Sequence, residues 1–131
     1  IEAALKVAVG YDKVISQHDK QYLLRNKKTG KRSVLMKPDF LIGETTILDT
    51  KWKSATYNGR YNYNQADVYQ MYAYVTSYKN AKRCILLYPK QGEEVDFPLW
   101  EVIGTDKTIE MQTIRIDDFY KTVEELRRIL L

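Results

Sequence analysis

The stretch KPDFLIGETTILDTKWK, residues 37 to 53, sets two carboxylates and an ammonium inside apolar segments: Asp39 directly after Pro38, then Asp49 and Lys51 in an Asp-Thr-Lys. An unpaired buried charge costs on the order of several kcal/mol, so folding alone would place such groups at turns. Two aspartates on adjacent strands of a hairpin can bring their carboxylates to one point. Strand side chains alternate faces, so Asp49 and Lys51 point the same way and the ammonium lies beside the carboxylates. Hard divalent ions such as Mg²⁺ take one or two carboxylate oxygens, with waters and a substrate phosphate completing the shell. In a phosphodiester cleavage the ion neutralises the scissile phosphate and acidifies the attacking water, while the lysine orients that water or stabilises developing charge. Asp-x-Lys alone carries little information, since average composition produces it about 0.5 times in a chain this long. The conjunction is more specific: Pro-Asp on the preceding strand, an apolar run entering Asp49, and a following helix with Gln70 and Tyr74 spaced QxxxY. The competing reading is a strand-end salt bridge between Asp49 and Lys51.

The elements that must position these groups follow from periodicity. IEAALKVAV has helix-forming composition, and a strand or turn runs from Tyr11 to Gln17. QYLLRNKKTGKRSVLMKPDFLIG reads as two strands around a basic loop turning at Gly30, with a third strand from Thr45 to Lys53 after Gly43. From Gln65 the period becomes helical: Val68, Met71, Tyr72 and Val75 form an apolar stripe, and Asp67, Gln70 and Tyr74 a polar one beside it. RCILLYP is a buried strand stopped by Pro89, and LWEVIG and EMQTIRI are further strands. DDFYKTVEELRRILL is an amphipathic helix capped by Asp117 or Asp118. This order suits an α/β domain with a mixed sheet flanked by helices.

At 131 residues the chain is one domain's worth, residues 1–131, and its opening at Ile1 without an initiator Met reads as a fragment of a longer chain lacking its N-terminal region. No leader and no apolar run long enough to span a bilayer is visible, and a single cysteine cannot form an internal disulfide or a multi-Cys metal site, so a cytoplasmic location is expected. Composition, at 44% hydrophobic and 29% charged, is that of a folding domain rather than a disordered one. The net charge of +4 concentrates at Arg25 to Arg32 and at Lys79 to Arg83, where a phosphate backbone could bind. The loop TYNGRYNYNQ could stack on bases or cap the fold. His18 is read as a surface side chain, Cys84 as a small buried hydrophobe, and Trp52 and Trp100 as packing anchors, with Trp52 placed to shape the site's rim.

KPDF…ILDTKWK, followed by NQADVYQMYAYV and CILLYP, resembles the PD-(D/E)xK nuclease superfamily, most closely the McrC nuclease subunits of McrBC-type modification-dependent restriction systems. The resemblance runs from about Val34 to Pro89. It implies a restriction-endonuclease-like α/β core, with Asp39 and Asp49 as metal-binding carboxylates, the Thr50 main-chain carbonyl as a further ligand and Lys51 as the catalytic lysine. Gln70 and Tyr74 correspond to the QxxxY helix motif, supporting the site or touching nucleic acid. Many members place a glutamate on the helix before the hairpin, where Glu2 is the candidate here. The resemblance further implies Mg²⁺, replaceable by Mn²⁺, as cofactor, and DNA and a GTP-hydrolysing McrB-like AAA+ subunit as partners in cutting modified DNA. No GxxxxGK[ST] is present, so nucleotide hydrolysis is expected on another chain. Two rivals remain: a non-catalytic DNA-binding module on the same fold, and a partner-docking domain whose charges merely pair.

Overall fold

The structure, a computed structural model, describes residues 1–92 and 94–131. Three short segments, α1 (Glu2–Val9), a 3₁₀ turn (Tyr11–Lys13) and β1 (Val14–Ser16), lead into the hairpin strands β2 (Gln21–Arg25) and β3 (Arg32–Met36). Then follow β4 (Phe40–Ile42), β5 (Thr46–Thr50), the two-residue strands β6 (Thr56–Tyr57) and β7 (Arg60–Tyr61), and α2 (Gln65–Ser77). The chain finishes with β8 (Arg83–Pro89), β9 (Leu99–Glu101), β10 (Thr108–Ile114) and α3 (Phe119–Leu130). Six strands form one mixed sheet in the order β1-β4-β5-β8-β10-β9. Its centre, β5-β8-β10, is parallel, and its flanking pairs are antiparallel. The expected mixed α/β architecture is therefore present.

Period-two alternation divides the core. Ile47, Cys84, Leu86 and Tyr88 pack with Met71, Tyr74 and Val75 of α2, while Leu48, Ile85 and Leu87 pack with Leu5 of α1 and Val123, Leu126 and Ile129 of α3. The sheet thus lies between α2 on one face and the α1–α3 pair on the other. Cys84 is fully buried in this core, as expected of a small hydrophobe, and burial pushes its thiol up. Asp118 caps α3 by accepting from the Lys121 N–H at 3.2 Å.

Four expectations need correction. The segment read as one strand around Pro38 splits: β3 ends at Met36 and β4 begins at Phe40, because Pro38 supplies no N–H to a ladder. As a result β2 and β3 form a separate two-stranded ribbon. Strand β5 stops at Thr50, so Lys51 lies just beyond it. On α2 it is Tyr74 that is buried and Tyr72 that is 53% exposed, since the ring two residues later is the one aimed at Ile47 and Tyr88 in the sheet. His18 is half-buried, its Nδ1 2.9 Å from the Tyr78 hydroxyl with the rings edge to face. The loop TYNGRYNYNQ forms the β6–β7 hairpin, turned by Asn58 and Gly59 at positive φ, and Tyr63 packs edge-on against Trp100 at 5.1 Å.

Candidate active site

The geometry begins with the β4–β5 hairpin. Gly43 and Glu44 both take positive φ, the turn geometry that matches the strands' twist, and the register aligns Phe40 with Leu48. That register carries Asp39 opposite Asp49. The two aspartates bind each other's strands: the Asp39 N–H donates to Asp49 Oδ1 at 2.9 Å, while Thr50 donates to Asp39 Oδ2 from its N–H at 2.9 Å and its hydroxyl at 2.7 Å. Lys51, held by its N–H to the Leu87 carbonyl at 2.9 Å, places its ammonium 2.9 Å from Asp49 Oδ2.

Helix α2 supplies the rest. Gln70 Oε1 accepts from the Lys51 ammonium at 2.9 Å, and the Gln70 amide donates to the Tyr74 hydroxyl at 3.1 Å, so the expected QxxxY pair forms a relay from core to lysine. Asp39, Asp49, Thr50, Lys51, Gln70 and Tyr74 are thus linked in one hydrogen-bonded network.

The same helix adds Asp67, which the sequence placed on the polar stripe without a role. Its Oδ1 lies 3.6 Å from the Lys51 ammonium and its Oδ2 2.6 Å from that of Lys53. The Lys53 contact is close but poorly directed: among the described residues Asp67 Oδ2, like the buried Tyr88 hydroxyl, accepts no well-formed hydrogen bond. The i, i+3 spacing of Asp67 and Gln70 was the available signal, since it puts both on the side of α2 facing a lysine.

The electrostatics follow from three carboxylates around two ammonium groups. Burial pushes the Asp49 carboxyl above its ordinary value, against the opposing pull of the Asp39 N–H and Lys51. Burial alone would lower Lys51, but the hydrogen bond and charge of Asp49, with the charges of Asp67 and Asp39, outweigh it and hold Lys51 up. Both members of one ion pair therefore rise. The reason is that desolvation dominates at Asp49 while Lys51 sees several anions, and the cluster keeps an excess of negative charge. Burial, then the charge of Asp49, also raises the Tyr74 hydroxyl.

An open cavity of about 490 Å³ adjoins the network, lined by Asp39, Thr50, Trp52, Ser16, Gln17 and Glu2. Trp52, 64% exposed, is a rim residue rather than a packing anchor. Glu2 reaches this cavity from α1 and pairs with Lys6 at 2.8 Å; hydrogen bonds from Lys6 and Ser16 lower its carboxyl. Asp49 and Lys51 do not line the cavity and lie on the α2 side of the strand end.

The donor chemistry suits a hard divalent ion. Among the described residues Asp39 Oδ1 accepts no hydrogen bond, its partner oxygen being held by Thr50. Asp49 is desolvated and would be relieved by a cation. Among the described residues no group of three or more His, Cys, Asp or Glu is placed to hold a metal by itself.

No helix among the described residues is long and apolar enough to cross a membrane. Among the curated proteins nothing matches. A solved structure, the refined half-complex from a tetradecameric assembly of Thermococcus gammatolerans McrB AAA+ hexamers with bound McrC, has a chain similar in fold, with a TM-score of 0.61 and 16% identity. The match covers 89% of this chain and 27% of that one, so the present chain spans about a quarter of its length. The model of the McrBC 5-methylcytosine restriction system component matches residues 1–89, and the chain belongs to that family.

Proposed function

We propose that this chain is a divalent-metal-dependent DNA endonuclease domain of the PD-(D/E)xK type, the cutting part of a McrC-like subunit. The observation that carries this reading is the reciprocal Asp39–Asp49 pair joined to Lys51 beside a cavity. Asp39, Asp49 and the Thr50 carbonyl hold the ion, Mg²⁺ or Mn²⁺. When bound, the ion polarises the scissile phosphate and lowers the pKa of the attacking water.

The chain's own residues do the rest. Lys51, kept charged by Asp49, Asp67 and Asp39, sits where an ammonium can orient a water or stabilise charge growing on a phosphate oxygen. Gln70 fixes that ammonium from α2, and the buried Tyr74 fixes Gln70, so rotamer freedom is removed before substrate arrives. Family membership and the likeness to a complex of McrB hexamers with McrC support a partner role beside an AAA+ GTPase acting on modified DNA.

The test is Mg²⁺ and Mn²⁺ titration calorimetry on the chain and its Asp49→Ala form. Ion binding by the native chain that disappears in the variant is expected. Binding of equal strength in both would remove Asp49 from the metal site and overturn the assignment.

A further inference from the structure

Apart from Met36 at its root, which joins the core, the β2–β3 ribbon is used by neither the core nor the site. Every residue of β2 is exposed, and of β3 only Met36 is buried, so the strands pair with each other and stand away from the main sheet. Its tip, Arg25 to Arg32, carries five cations and no carboxylate. The whole chain carries +4 and this tip +5, which leaves the remainder at −1. The basic character of the protein therefore resides in one turn.

Those cations are also unspent. Lys6, Lys51, Lys53, Lys82, Arg83 and Arg115 pair with carboxylates, whereas among the described residues none of Arg25, Lys27, Lys28, Lys31 or Arg32 has one within ion-pair distance. The turn that presents them is stiff. Asn26 Oδ1 accepts from the Lys28 N–H at 2.9 Å, the Gly30 N–H returns to the Asn26 carbonyl at 2.8 Å, and Gly30 takes the positive φ this requires. Arg32 lies over the Tyr22 ring at 5.0 Å, so its guanidinium is oriented without being neutralised. The ribbon's root ends at Met36, three residues before Asp39.

We propose that the ribbon is a DNA-backbone clamp whose tip lysines contact duplex phosphates at a distance from the scissile bond. The proposal rests on the DNA-cutting reading of the Asp39–Asp49 site. Five-residue strands reach about 17 Å from their root. At about 3.4 Å per base pair, the tip engages phosphates up to about five base pairs from those at the site. The contact is electrostatic and independent of sequence, so it sets register on the duplex and not base preference.

The experiment measures DNA affinity against salt for the full chain and for Lys27→Ala/Lys28→Ala/Lys31→Ala, using duplexes of two unrelated sequences. Each lost phosphate contact removes about 0.9 from the slope of log K against log[salt], so the triple variant is expected to flatten it by about 2–3 on both duplexes. The Lys27→Arg/Lys28→Arg/Lys31→Arg form should keep the native slope, which separates charge from damage to the turn. An unchanged slope in the alanine variant would overturn the clamp while its Mg²⁺ response, measured in parallel, left the nuclease reading standing. A native chain that binds neither duplex at low salt would overturn the clamp and point the ribbon toward an acidic protein surface.

Discussion

Asp49→Asn separates the two explanations for a buried aspartate, an ion pair that stabilises the fold and a ligand that costs stability. Asp49 is only 5% exposed, accepts the Asp39 N–H at 2.9 Å and meets the Lys51 ammonium at 2.9 Å. Burial raises its carboxyl, and the sign follows: a group whose folded pKa lies above its unfolded one stabilises the fold below the unfolded value, near 3.9, and that contribution is lost as pH rises through the folded pKa. At neutral pH the ionised Asp49 therefore works against folding. The amide keeps an oxygen for the Asp39 N–H, and Lys51 retains Gln70 at 2.9 Å and Asp67 at 3.6 Å. What is lost is a charge-assisted bond of about 1.5–3 kcal/mol, and what is gained is relief from desolving a carboxylate, of the same order.

The variant should thus melt within about 4 °C of the native chain, or above it, in metal-free buffer at pH 7. Metal reverses the order. An ion at ten times its dissociation constant stabilises the native chain by about 1.4 kcal/mol, or about 4–6 °C for a domain this size, and the variant should gain less than a third of that. The native response should also strengthen as pH rises above the ordinary aspartate range, because the ion must displace the proton that burial favours on Asp49. Thermal melts with and without Mg²⁺ or Mn²⁺ read all three. A metal-free loss of 3 kcal/mol or more in the variant would refute the reasoning, as would a native chain that gains nothing from tens of millimolar ion.

Two further outcomes are expected. Lys51 is held above its ordinary pKa partly by Asp67, so Asp67→Asn should move the alkaline limb of the cleavage pH profile of the assembled complex toward lower pH, and an unmoved limb would show that Asp67 serves Lys53 alone. Leu126→Ala, on the α3 face packed against Ile85 and Leu87, should cost about 2–5 kcal/mol by denaturant titration, and a loss below 1 kcal/mol would mean α3 does not close this core.

The sequence by itself was sufficient where the signal is local. The continuous apolar run in RCILLYP specified a strand buried on both faces, the amphipathic pattern of DDFYKTVEELRRILL with Asp117 or Asp118 as its cap specified α3, and two aspartates flanking one tight turn specified a shared carboxylate site. For α3 and the aspartate pair the determining contacts lie within a helical turn or a hairpin, so neighbours in sequence are neighbours in space, whereas for RCILLYP only its burial was legible, since its partners β5 and β10 lie far away in the chain. Proline 38 was legible too, although its consequence, a ribbon cut loose from the sheet, was not.

Tertiary structure decided the matters that depend on which element lies against which. Tyr72 and Tyr74 are chemically the same, and the docking of α2 on the sheet selects the one whose ring is buried, while the reach of the Tyr74 hydroxyl to Gln70 follows from their i, i+4 spacing. His18 finds Tyr78 sixty residues away, and Asp67 finds Lys51 and Lys53, because β5 and α2 meet over β8. Glu2 arrives at the Asp39 cavity because α1 packs beside α3 beneath the sheet. A one-dimensional pattern states which face a side chain takes on its own element. The partner on that face is fixed by strand order and helix packing, whose long-range contacts no local period encodes.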